Sequence, residues 1–261
     1  MPRHGQVWDA RLSTSRDEFA PFCELLAELV RSEQFPDPSQ LTLLAEQARL
    51  QRAPELRALK FVVTTPKARR RRRYPVRLSE LYDARIARFA EVPCYRQSYH
   101  DLFNALMFAA FPRAKRALHE RQYRALEGWV LEGAERLPER RTREQDALTL
   151  MDEGGSVVLC RPDWKPAFEA GQTLTLSGTA TGARLVVFGH ALLEHLAEGI
   201  EDMRSSARIL WLCDWPSGSE LLEVVDRFLC GLLADETRFC QPDADAVVEW
   251  RPGEPPRLSH V

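Results

Sequence analysis

Between Leu102 and Phe111 this 261-residue chain carries one polar side chain, Asn104, in an otherwise unbroken apolar run. Ten residues fall well short of the roughly 20 that cross a bilayer. They are enough for nearly three helical turns, and a helix that is apolar on all sides has to be surrounded by protein. Ser98-x-x-Asp101 just upstream matches a capping box, with Ser98 as N-cap and Asp101 bonding back. Pro112 kinks or ends the helix, and a basic helix resumes through Arg113, Lys115, Arg116 and Arg121.

The remaining patterns show what is available to cover that helix. Apolar spacing predicts helices over 17–31, 39–50 and 81–90, a short β run over 59–63 and a loop around Pro93. Downstream, residues 147–151 and 156–160 predict a β-hairpin, with Asp152 and Glu153 in the turn before Gly154-Gly155. A short helix over 164–170 and a strand and loop over 172–182 follow. Strand 184–188, helix 189–197, strand 207–213 and helix 219–233 then predict a parallel βαβ crossover. The expected fold is α+β. A largely helical half, about 1–141, packs on a small mixed sheet (hairpin plus βαβ) from about 142–245, forming one compact domain with an irregular tail over 246–261.

Composition narrows the function classes. With 44% hydrophobic residues and a net charge of −2, the chain is globular rather than disordered. No run is long enough for a membrane span, and residues 1–19 contain no apolar core of a secretory signal. The six cysteines form no C-x-x-C pair and no zinc-type cluster, which fits buried thiols in a reducing, cytoplasmic setting. Residues 1–145 hold 27 basic and 19 acidic groups, so the first half is basic and the second acidic. No phosphate loop, dinucleotide fingerprint or nucleophile elbow is present, so no nucleotide cofactor is expected.

Candidate chemistry gathers at two places. His100 and Asn104 lie one turn apart on the buried helix and need hydrogen-bond partners there. Phe188-Gly189-His190 sits where a strand passes into a helix, with Glu194 one turn on. A helix N-terminus disfavours imidazolium, so His190 is expected to be neutral, as a base or metal ligand requires. Glu194 would orient it, or share a divalent metal with His190 and His100. The run His190-Ala-Leu-Leu-Glu-His195 has the wrong spacing for a zinc-protease motif. Asp214 and Trp215 follow the next strand and are expected near His190 at the same sheet edge. Asp101 has a capping role beside any catalytic one.

Several segments together resemble a bacterial family, domain of unknown function 3025. They are Tyr82-Asp-Ala-Arg-Ile, Glu91-Val-Pro, Tyr99-His-Asp-Leu-Phe-Asn-Ala-Leu, Phe111-Pro-Arg-Ala-Lys115-Arg-Ala-Leu118, the stretch from Arg143 to Gly154, and Val187-Phe-Gly-His-Ala-Leu-Leu-Glu194. The resemblance spans roughly residues 40 to 235. It departs from the family pattern at His119, where an asparagine is usual, and in the C-terminal ending. It implies a bacterial cytoplasmic protein and names no reaction.

Two functional expectations follow. The first is a small hydrolase-like enzyme or ligand-binding protein for a small molecule, with catalytic candidates His100, Asn104, His190, Glu194 and Asp101. There Asn104 would position a carbonyl. The second is a non-enzymatic module binding nucleic acid or protein through Arg69, Arg70, Arg71, Arg72, Arg73, Arg113 and Lys115.

Overall fold

The computed structural model describes residues 8, 9, 11, 16–30, 34–64, 77–134, 137–176, 182–216 and 218–261. Helices α1 (Cys23–Val30) and α2 (Pro38–Arg52) come first. They are followed by β1 (Lys60–Val63), the short α3 (Tyr82–Ala84) and β2 (Glu91–Cys94). Next come α4 (Tyr99–Ala110), α5 (Pro112–Trp129), α6 (Arg143–Gly154) and β3 (Gly155–Cys160). The chain continues through α7 (Lys165–Glu169), β4 (Leu174–Thr175), β5 (Ala183–Val187) and α8 (His190–Ala197). It closes with β6 (Met203–Trp211), α9 (Gly218–Ala234), β7 (Ala246–Arg251) and β8 (Glu254–His260). The fold is α+β. No helix among the described residues is long and apolar enough to cross a membrane.

The apolar segment is the central helix. Every residue of α4 from Asp101 to Ala110 is buried. Its neighbours are α2 on one side and α8 on another, with α5 and α9 also in contact. Ser98 Oγ accepts from the Asp101 amide at 3.3 Å, which caps the helix start. The Asp101 carboxylate also accepts from the Tyr95 amide, at 3.0 Å. Pro112 opens α5 rather than kinking α4. The first amides of α5 find their acceptor on another helix: Asp226 of α9 accepts from Arg113 N at 3.2 Å and Ala114 N at 2.8 Å.

Four expectations change. The predicted hairpin before residue 160 is helix followed by strand. Thr142 and Gln145 form a reciprocal capping box that starts α6, and Ala147, Leu148 and Met151 then bury one helical stripe, leaving Leu150 exposed. Asp152 and Glu153 are therefore in the last turn of a helix. The predicted loop at Pro93 is β2, which pairs in parallel with β1. It has no second partner among the described residues, so a proline is tolerated. The predicted tail is a β-hairpin, β7–β8, with Val248, Trp250 and Leu258 buried in the common core. The predicted parallel βαβ is absent. The large sheet has the order β4-β8-β7-β6-β3-β5, in which β3 runs parallel to β6 and antiparallel to β5. Strands β5 and β6 thus flank β3 and run in opposite directions.

Candidate functional site

One backbone junction sets the geometry. Gly155, where α6 becomes β3, offers its carbonyl to Phe188 N at 3.0 Å and Gly189 N at 2.8 Å. The start of α8 is thereby clamped onto the end of α6. At Gly189 an added Cβ would lie 2.4 Å from the Glu153 carbonyl oxygen, so only glycine allows this approach. Immediately after it, His190 Nδ1 donates to the Asp152 carbonyl at 2.8 Å.

Two histidines 90 residues apart then meet. His100 projects from the first turn of α4, and its Nε2 is 3.1 Å from His190 Nε2. The rings are edge to face, with centroids 4.4 Å apart. The other nitrogen of His100, Nδ1, is 3.2 Å from Glu194 Oε2, one turn along α8 from His190.

Two of the protons in this chain can be placed by elimination. The Asp152 carbonyl can only accept, so His190 Nδ1 carries hydrogen. The carboxylate Glu194 also requires a donor, so His100 Nδ1 carries hydrogen as well. The contact between the two Nε2 atoms needs one further hydrogen, so satisfying all three contacts makes one ring an imidazolium and the other a neutral imidazole.

The surroundings put the extra proton on His100. Burial works against charge on His100, but the hydrogen bond and charge of Glu194 outweigh it and raise its pKa above the ordinary 6.5. Burial dominates at His190, outweighing the attraction of Asp152, and the charges of Lys115 and His100 add to it. Its pKa falls to about 3. His190 was expected to be neutral because of the helix terminus, and the larger cause is desolvation. Access differs too, since the His100 side chain is 30% exposed and His190 is buried.

Beneath the pair lies a buried ion pair. Lys115, fully enclosed on α5, donates to the carboxylate of Asp152, and its ammonium sits 4.9 Å from the centre of the Phe108 ring. Burial penalises the Asp152 charge, but Lys115 more than compensates and holds the carboxyl well below its usual range. Asp152 Oδ2 is 3.8 Å from His190 Nδ1, so this charge also bears on the histidines.

Asn104 is one turn further along α4, buried, and its Nδ2 donates to the Tyr82 hydroxyl at 2.7 Å. That bond uses one of the two amide hydrogens. The Asp101 carboxylate is engaged by the Tyr95 amide. Asp214 and Trp215 follow the Trp211 end of β6, which pairs with the Cys160 end of β3, whereas His190 is beside the Gly155 end. The antiparallel course of β5 thus puts them at the opposite edge of the sheet from His190.

Among the described residues, no group of three or more His, Cys, Asp and Glu side chains is arranged to hold a metal ion, so the shared metal expected at His190, Glu194 and His100 finds no support. Of the basic surface expected at Arg113 and Lys115, only Arg113 is partly exposed. Lys115 is buried on Asp152, and Arg113 pairs with Glu55 at 2.8 Å and Asp226 at 3.5 Å. Arg69 to Arg73 lie outside the described residues.

Sequence reasoning left Tyr82, Asp83 and His119 outside the candidate site and did not pair Lys115 with Asp152. A signal existed. Phe111, Ala114, Lys115, Leu118 and His119 fall on one helical stripe, so the lysine and histidine share the apolar face of α5.

A family model described as Protein of unknown function (DUF3025) matches residues 72–244, a span that contains every residue of this cluster. No curated protein and no solved structure matches the chain.

Proposed function

The chain belongs to the DUF3025 family of unknown function, and we propose that it is a small hydrolase-like enzyme whose acid–base group is His100. The observation that carries this reading is the chain of contacts Glu194–His100–His190–Asp152 carbonyl, in which two adjacent imidazoles have opposite proton affinities. Divergent affinities in neighbouring titratable groups are a recurrent mark of acid–base sites.

The roles follow from access. Glu194 holds Nδ1 of His100 and leaves Nε2 as the working nitrogen, the usual arrangement of a carboxylate-oriented imidazole. As water adds to the reacting carbon or phosphorus, His100 would give its Nε2 proton to the leaving group, whose bond then breaks. Neutral, it would take back a proton from the oxygen that water supplied. The ring ends as it began. His190 would act as a positioning residue, too weakly basic to keep that proton. Its lone pair holds the donor until substrate competes for it.

Chromogenic carboxylate esters, phosphate esters and aryl amides, assayed at pH 6–8 against wild type and His100→Asn, test this. Turnover that falls at least about 100-fold in a variant with unchanged melting supports His100 as the acid–base group. Equal turnover in the two proteins overturns the assignment. We further place the protein in a bacterial cytoplasm, a reading supported by the buried free thiols Cys94 and Cys160.

A further inference from the structure

On the other side of Lys115 lies a second polar cluster that the His100–His190 pair does not use. His119 of α5 is 1% exposed, and its Nδ1 is held by Asp83 Oδ1 at 2.9 Å. Phe108 stacks on one face of the ring at 5.5 Å, and Tyr82 meets it edge-on at 5.6 Å. Tyr82 also accepts from Asn104 Nδ2. Two atoms in this cluster are buried without a hydrogen-bond partner: Asn104 Oδ1 and His119 Nε2. Each such atom costs about 1–3 kcal/mol, and native interiors rarely leave one unpaired. Here both residues border the same tyrosine, which is itself 38% exposed.

The hydrogen-bonding types of the open positions are specific. Asn104 Oδ1 is an acceptor. The Asp83 carboxylate takes the hydrogen of Nδ1, so Nε2 of His119 is also an acceptor whenever the ring carries a single hydrogen. The Tyr82 hydroxyl, already accepting from Asn104, has its own proton left to give. Two acceptors and one donor complement a group with two N–H bonds and one carbonyl oxygen. We propose that Tyr82, Asn104 and His119 form a binding subsite for a primary carboxamide, its NH2 donating to Asn104 Oδ1 and His119 Nε2 and its carbonyl accepting from Tyr82.

A primary ammonium leaves the tyrosine proton without an acceptor, and a carboxylate faces two lone pairs. Although the residue as a whole is 38% exposed, its hydroxyl end is buried, and that burial with the nearby Asp152 charge keeps the phenol protonated, as this role requires. The subsite stands whether or not His100 is catalytic.

The test uses full-length protein carrying 15N-labelled histidine, titrated with acetamide. The expected result is a saturable shift of the His119 Nε2 resonance that N,N-dimethylacetamide, which lacks N–H donors, does not produce. In Asn104→Leu, acetamide should bind at least tenfold more weakly. Should that variant fail to fold, Tyr82→Phe, which lacks the hydroxyl, is expected to weaken binding by a similar factor. A His119 resonance that acetamide does not move means that solvent alone completes these atoms, and the proposal fails. An equal response to dimethylacetamide, or undiminished binding in the folded variants, overturns it as well.

Discussion

Acidification separates His190 from the groups around it. In the unfolded chain this imidazole takes up its proton near pH 6.5, whereas in the folded protein it does so only near pH 3. Between those values unfolding binds a proton, so stability falls as pH falls. At about 1.4 kcal/mol per pH unit, the interval from pH 7 to pH 5 costs the native state about 2 kcal/mol. Two other groups titrate with the opposite sign. The raised affinity of His100 contributes stability at low pH that is lost as pH rises through its folded pKa. Asp226, whose buried carboxyl is raised from 3.8 to about 6, likewise favours the fold on protonation. A wild-type profile alone mixes all three. The comparison with His190→Asn, which keeps a donor for the Asp152 carbonyl, removes the one slope of interest. Urea unfolding at pH 7 and pH 5 should show wild type losing about 2 kcal/mol more than the variant over this interval. Parallel pH profiles would refute the claim that His190 is held neutral by burial.

Three further outcomes follow from the same geometry. Gly189→Ala drives a Cβ into the Glu153 backbone, which cannot swing aside, and should cost about 3 kcal/mol in chemical denaturation while disrupting the His100–His190 contact. Lys115→Met leaves Asp152 buried without its cation and should cost about 3–5 kcal/mol by the same measurement. Adding Asp152→Asn should recover part of the loss. Asp226→Asn keeps an oxygen for the first amides of α5 but removes a carboxylate penalised by burial. It should be at least as stable as wild type at pH 8 and lack the wild-type contribution that declines as pH rises from 4 to 6.

How much was legible beforehand depended on range. The α4 segment declared its burial because an all-apolar helix has one environment open to it, and the Gly189–His190 turn marked itself by standing between a strand and a helix. Misreadings arose where a local pattern fitted two structures. Residues 147–160 alternate well enough for a hairpin, yet the capping box at Thr142 and Gln145 starts a helix first. The order of β5, β3 and β6 is a matter of long-range pairing, and no local pattern in β5 states that it runs against β3. The same limit hid the Lys115–Asp152 pair, whose partners are 37 residues apart. A lysine on an apolar stripe implies a buried counter-ion without saying which carboxylate provides it.

The central claim concerns where the protons lie between His100 and His190. Histidine 15N shifts, recorded at pH 7 on full-length protein and assigned with His100→Asn and His190→Asn, read this directly. The account predicts both nitrogens of His100 protonated, and His190 neutral with hydrogen on Nδ1 and an accepting Nε2. A neutral His100, or a His190 that carries its hydrogen on Nε2, would contradict it.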